Sequence, residues 1–242
     1  MITVLAFDTA TERASIALAA RGRVWAQDAA GGAQASTTLI PAIMALLDEA
    51  AVSLHELDAI AFGRGPGAFT GLRTACSVAQ GLAFGAGKPV LPVDTLLAVA
   101  EDARERTCGG EPALRVWVAN DARMNEIYAA HYAFDAGRWT TLAAPFVTNA
   151  TLLSERWSDE PPQLVAGSAL ALFADTLRSG AARRVPDAVP RAQALLPLAQ
   201  ALWNEGGALD AALAIPLYVR DKVAQTMAER DAQRQIRDAA QP

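Results

Sequence analysis

The sequence predicts an α/β protein of two similar lobes, and three observations carry that reading. Strand-like and helix-like runs alternate along most of the chain. Each half opens on three strand-like runs, the first ending at an acidic residue, Asp8 or Asp121. Between the halves, Thr107-Cys108-Gly109-Gly110-Glu111-Pro112 breaks the periodicity. An N-terminal lobe is therefore expected over 1–108 and a C-terminal lobe over 109–242, with a polar tail from about 225. The halves do not match residue by residue, so the duplication is one of pattern.

Ile2 to Phe7 is an apolar run closed by Asp8-Thr9-Ala10-Thr11. Ser15 to Ala20 and Arg23 to Gln27 flank the turn signal Arg21-Gly22, giving a three-strand meander. Leu39, Ile43, Leu46 and Leu47 then recur at helical spacing, with Ser36, Thr37 or Thr38 available as a cap. Pro41 should bend that helix if Ser36 caps it. A strand over 57–63, a helix over 71–85 ended by Gly85 and Gly87, a strand over 88–93 and a helix capped by Asp94 or Thr95 complete the first lobe. In the second, strands are expected over 114–119, 127–134, 138–146 and 163–166. Helices are expected over about 149–156, 168–178 and 191–204.

At 242 residues, with 52% hydrophobic and 19% charged residues, the chain can bury a large core and is not of disordered composition. Its net charge of −5 argues against free-standing nucleic-acid binding. Cys76 and Cys108 form no C-x-x-C pair, and the two histidines, His55 and His131, have no metal-ligand spacing. Both histidines read as ordinary surface or core residues. The N-terminus lacks a basic signal-peptide region, and no run of 18 apolar residues occurs. The expectation is a cytoplasmic protein with no membrane span, no metal and no cofactor.

Gly63-Arg64-Gly65-Pro66-Gly67-Ala68-Phe69-Thr70-Gly71, with Arg73 beyond, sits between a strand and a helix, where backbone N–H groups can face an anion. No G-K-[ST] follows, so it is not a P-loop. The alternative is that Gly65, Gly67 and Gly71 serve a sharp turn and close helix packing. Asp8-Thr9-Ala10-Thr11 resembles the D-x-G-T phosphate loop of sugar kinases, actin and Hsp70-type ATPases, but Ala10 replaces the glycine. Asn120-Asp121-Ala122-Arg123 also lacks it. Asp8, Thr9, Thr11 and Asp121 thus read as degenerate phosphate-loop residues. On the 71–85 helix, Thr74, Val78 and Gly81 form a small-residue face beside the sheet-facing Leu72, Ala75, Cys76, Ala79, Leu82 and Ala83. It suits either internal packing or a partner helix.

Phe62 to Arg73 followed by Ala79-Gln80-Gly81-Leu82-Ala83 closely resembles the signature of the TsaB (YeaZ) family, glycoprotease-like proteins of tRNA threonylcarbamoyladenosine synthesis. Asp8 to Thr11, Asp121 to Tyr128 and Pro216-Leu217-Tyr218-Val219-Arg220 follow the family's order. The resemblance implies two ribonuclease-H-like lobes of the actin/Hsp70-type ATPase superfamily, with mixed sheets flanked by helices. It implies a non-catalytic platform with no catalytic residue, pairing with the paralogous transferase TsaD, with TsaE in the larger complex. Contact with tRNA would come only through that complex, and the chain alone would form a homodimer. The implied partner surface is Ile40, Ile43, Met44 and Leu47 with Thr74, Val78 and Gly81. A peptidase or nucleotide-binding enzyme of the same superfamily is the alternative, but a kinase would want glycine in both loops and a metallopeptidase clustered ligands. The family often carries a histidine just before the first helix, where this chain has Ala35-Ser36-Thr37.

Overall fold

In a computed structural model, which describes residues 1–107 and 111–220, β1 (Val4–Asp8) is buried on both faces and organises the first sheet. β2 (Arg13–Ala20) and β3 (Arg23–Ala30) continue it antiparallel, while β4 (Ala59–Gly65) and β5 (Val90–Asp94) run parallel on the other side. The strand order is β3-β2-β1-β4-β5. The second sheet joins β6 (Ala113–Asp121), β7 (Ile127–Asp135) and β8 (Arg138–Thr148) as a meander, then β9 (Leu164–Ala166) and β10 (Arg183–Val185) in parallel. Read from β8, its order is β8-β7-β6-β9-β10, the plan of the first sheet. Two ribonuclease-H-like lobes follow.

Side-chain alternation assigns each sheet face its helices. Leu5, Phe7, Ile16 and Leu18 face α1 (Ala35–Ala50) and α2 (Phe69–Ala86), meeting Leu39, Ile43, Leu46 and Leu47 from α1. Val4, Ala6, Ala17 and Ala19 face the opposite way, onto Leu195, Leu198 and Ala199 of α6 (Ala192–Asn204). Each leucine so buried contributes about 1.5–3 kcal/mol. Alanines on that face let the helix lie close. α3 (Thr95–Thr107) buries Leu96, Val99 and Ala103 against Val116, Val118 and Tyr132 of the second sheet. α4 (Ala150–Asp159) covers its other face with Leu153 and Trp157 against Trp117 and Ile127, and the short α5 (Ala169–Leu172) adds Leu170.

Several expectations change. The chain from 190 onward was expected in the second lobe but returns to the first. α6 packs on the first sheet, Ala192 N–H donates to Ser15 Oγ at 3.0 Å, and Leu209 pairs with Val90 beside β5. Apolar burial on an otherwise open sheet face outweighs sequence proximity to the second lobe. Helix α1 starts at Ala35 with Gln34 at the cap position, and the Thr37 and Thr38 hydroxyls donate to the Gln34 carbonyl instead of capping. Pro41 sits on its exposed side and the helix continues through it. The helix expected over 168–178 stops at Leu172. Ser154 Oγ accepts from Arg178 N–H at 2.9 Å, tying the following turns to α4. β10 was not expected; three residues, two of them exposed arginines, carry little strand signal.

Cys108 and the tail from about 225 lie outside the described residues. Cys76 is buried, and His131 stacks on Trp117 at 4.4 Å, where burial holds its pKa below the usual histidine value. Among the described residues no group of three or more His, Cys, Asp or Glu could hold a metal ion, and no helix is long and apolar enough to cross a membrane.

The interlobe cleft and the exposed helix face

Asp8, at the end of β1, is fully buried and held on both oxygens. Oδ1 accepts the Ala10 N–H at 2.7 Å and Oδ2 accepts the Thr95 hydroxyl at 2.7 Å. Thr95 Oγ1 in turn accepts the Gly65 N–H at 3.1 Å, so one carboxylate joins β1, the glycine loop and the start of α3. Burial pushes the Asp8 pKa up to about 6, against the opposing pull of its two hydrogen bonds. In a working phosphate loop this carboxylate would face a metal-bound water and the loop amides would face phosphate. Here the carboxylate is turned inward, the Ala10 N–H is spent on it, and the Ala10 carbonyl accepts the Ala68 N–H at 2.9 Å. Both the N–H and the carbonyl of Ala10 are thus engaged within the protein.

The glycine block packs closely against the β1 end. A Cβ on Gly71 would overlap the Thr9 carbonyl oxygen, and one on Gly63 would overlap the Asp8 carboxylate. A Cβ on Gly67 would lie 2.5 Å from the Ala10 methyl. Thr9 Oγ1 donates to the Gly71 carbonyl at 2.7 Å, closing α2 onto the β1 loop. Gly65 has φ +111°, a conformation that disfavours any side chain. Arg64 pairs with Asp94. Thr70 and Arg73 are exposed at the start of α2, where the Arg73 guanidinium lies 3.8 Å from the Phe69 ring centroid and Nε donates to Tyr218 Oη at 3.1 Å.

On the second lobe, Asp121 Oδ1 accepts the Arg123 N–H at 2.8 Å, and the Asp121 N–H donates to Ser168 Oγ at 3.0 Å. Ser168 N–H donates to Asn120 Oδ1 at 3.2 Å, so Gly167-Ser168 closes onto the β6 end. Arg123, Met124 and Asn125 all have positive φ, making a tight turn at the cleft. Between the loops lies a cleft of about 790 Å³ whose lining includes Ala10, Thr11, Phe69, Asp121, Leu172 and Tyr218. Arg123 reaches Glu12 across its rim at 2.8 Å. Thr95 reads from sequence only as a helix-cap candidate, and its link between Asp8 and Gly65 has no local signal. Glu12 was not singled out from sequence, because a surface ion pair carries no pattern that separates it from ordinary ones.

The expected partner residues divide. Ile43 and Leu47 belong to the core of the first lobe, which corrects their expected place on a partner surface: at helical spacing they fall on the sheet side. Thr74 is buried, its hydroxyl donating to the Thr70 carbonyl at 3.0 Å, and Val78 is half-buried. Ile40 and Met44 are 45% and 40% exposed, and Gly81 is exposed with open space at its Cβ position. Phe84, one turn beyond Gly81, is 86% exposed. Helical phase alone could have found it.

A family model described as TsaD, tRNA N6-adenosine threonylcarbamoyltransferase, matches residues 31–227. The tRNA threonylcarbamoyladenosine biosynthesis protein TsaB of Escherichia coli is 35% identical over 225 residues, 91% of this chain and 96% of that protein. The protein of the same name from Haemophilus influenzae is 32% identical over 92% of this chain and 95% of its own. The chain belongs to the TsaB family. The solved structure of YeaZ from Pseudomonas aeruginosa superposes with a TM-score of 0.80 at 37% identity, covering 90% of this chain and all of that one. An Arthrobacter polyphosphate/ATP-glucomannokinase, at 13% identity and a TM-score of 0.50, shares the fold alone.

Asp8 yields a prediction with a definite sign. Its folded pKa of about 6 exceeds the ordinary 3.8, so the folded state binds the proton more tightly than the unfolded one. The corresponding stability is fully present below pH 4 and is lost as pH rises through 6, a change of about 3 kcal/mol. Asp8→Asn removes this titration while keeping an acceptor for the Ala10 N–H. Denaturant unfolding across pH 4 to 8 is expected to show a flatter profile for Asp8→Asn, with the variant gaining on the wild type above pH 6. Parallel profiles would contradict the assignment.

Proposed function

We propose that this chain is the accessory, non-catalytic subunit of the machinery that makes threonylcarbamoyladenosine beside the tRNA anticodon. In this reading it pairs, through the outer faces of α1 and α2, with the paralogous threonylcarbamoyltransferase. The observation that carries the reading is an uncharged central stretch of that surface, bounded by the exposed Asp48 and Glu49 of α1 and Arg73 of α2. No charged residue occurs from Ala35 to Leu47 or from Thr74 to Gly87, yet Ile40, Met44 and Phe84 stand exposed there. Apolar surface of this kind is characteristic of a covered interface. The inward-turned Asp8 and the crowded Ala10 support a platform role over ATP turnover. The names of the relatives, tRNA threonylcarbamoyladenosine biosynthesis proteins, supply the pathway.

On this reading the ATPase TsaE joins the larger cytoplasmic assembly, and the chain self-associates through the same face when its partner is absent. Its net charge of −5 leaves tRNA contact to the complex. Mixing the chain with the transferase of the same organism and measuring mass by light scattering is expected to give a defined heteromeric complex. The isolated chain is expected to show no ATP hydrolysis above the Asp8→Ala background. No complex at micromolar concentrations, or steady hydrolysis abolished by Asp8→Ala, would overturn the proposal.

A further inference from the structure

The first sheet places three elements side by side on one face: α1 over β3 and β2, α2 over β4, and the segment after Leu209 beside β5. That last segment is pinned along its length. Asp210 Oδ1 accepts the Ala212 N–H at 2.8 Å, and the Leu217 N–H donates to the Arg64 carbonyl at 2.7 Å. The Ala214 carbonyl accepts from Cys76 Sγ at 3.3 Å and Gln80 Nε2 at 3.1 Å, both on the flank of α2. Ala211 and Ala214 face inward and are buried, which leaves Leu213 and Ile215 outward, 62% and 69% exposed. No charged residue occurs between Ala211 and Val219. These aliphatic side chains are therefore held at the surface by a fixed backbone and not by fraying.

Helical phase sets Ser77, Gly81 and Phe84 on the outward side of α2, one step around from Cys76 and Gln80. The low ridge of Ser77 and Gly81 thus runs between Ile40 and Met44 on one side and Leu213 and Ile215 on the other.

We infer that the segment 211–218 is the third wall of the partner surface, and that Leu213 and Ile215 help determine which partner this face accepts. The inference rests on the pairing proposed above. Its occupant is the helix pair of the transferase: the family model of that enzyme matches residues 31–227 of this chain, which span all three elements, so the partner carries the same architecture. One helix of that pair would lie in the trough over Gly81, flanked by α1 and by the 211–218 segment.

The test uses the full chain and the transferase of the same organism, with affinity measured by calorimetry. Leu213→Asp with Ile215→Asp is expected to weaken pairing roughly 30-fold or more, the level of an interface hot spot. The milder pair Leu213→Ser with Ile215→Ser should weaken it less, and thermal melting of both variants should match the wild type because the side chains are exposed. Met44→Asp with Phe84→Asp is the comparison. If that pair abolishes binding while both 213/215 variants bind normally, the third wall is overturned and the pairing stands. If neither set changes binding, both fall. Loss of self-association with unchanged transferase affinity would assign the wall to a second copy of this chain and overturn the inference.

Discussion

Gly71→Ala is expected to destabilise the first lobe by about 3 kcal/mol or more. The added Cβ would overlap the Thr9 carbonyl oxygen, and both groups are backbone. Neither can swing aside as a flexible side chain would. Thr9 is held by β1 behind it and by its own hydroxyl bond to the Gly71 carbonyl at 2.7 Å, so the collision must be relieved by moving the start of α2 off the sheet. That movement would also disturb the Asp8–Thr95–Gly65 chain. For a chain of this size, roughly 2–4 °C of midpoint are lost per kcal/mol, so the melt should fall by about 10 °C. Gly85→Ala, in the same helix with open space at its Cβ position, is the control and should stabilise by up to about 1 kcal/mol. A Gly71→Ala midpoint within 2 °C of wild type would show that the loop accommodates the methyl, and the packing account of the signature would fail.

The contrast between those two glycines also marks where sequence reading stops. The strands and long helices of both lobes were legible because their apolar residues repeat with periods of 2 or 3.6, and burial on a sheet face enforces that repeat. The duplicated meander and the acidic strand ends at Asp8 and Asp121 were legible for the same reason. What the glycines of 63–71 do was not. Spacing is equally compatible with a phosphate cradle and with close packing, and the close approach of Thr9 and Ala10 to Gly71 and Gly67 is visible only in the structure.

Ile43 and Leu47 show a second limit. An apolar helix position is the same letter whether it meets its own sheet or a foreign helix. Phase relative to the sheet separates Ile43 from Ile40, and that phase depends on which way α1 lies. The return of 190–218 to the first lobe is a third. Nothing local announces that α6 will cover the alanine-rich face of β1 and β2, because the signal is the need of that face for a cover.

Gly81→Glu is expected to leave the fold intact and to remove pairing. The sequence left two outcomes open, misfolding if Gly81 faces its own sheet and dissociation if it faces a partner. With Gly81 exposed and nothing within 4 Å of its Cβ position, the carboxylate would reach solvent in the isolated chain. Replacing glycine inside an exposed helical turn should even raise stability, by up to about 1 kcal/mol. In a complex the same carboxylate would lie on an uncharged ridge, with no cation between Thr74 and Gly87 to meet it. An unpaired, desolvated charge there costs several kcal/mol, on the order of 3–5, enough to weaken binding by a hundredfold or more. Stability and affinity are thus expected to move in opposite directions, which no folding defect can imitate. Circular dichroism melting paired with light scattering against the transferase reads both. A variant that melts at or above the wild-type temperature and stays unbound supports the face, whereas one that folds and pairs at wild-type affinity places the interface elsewhere.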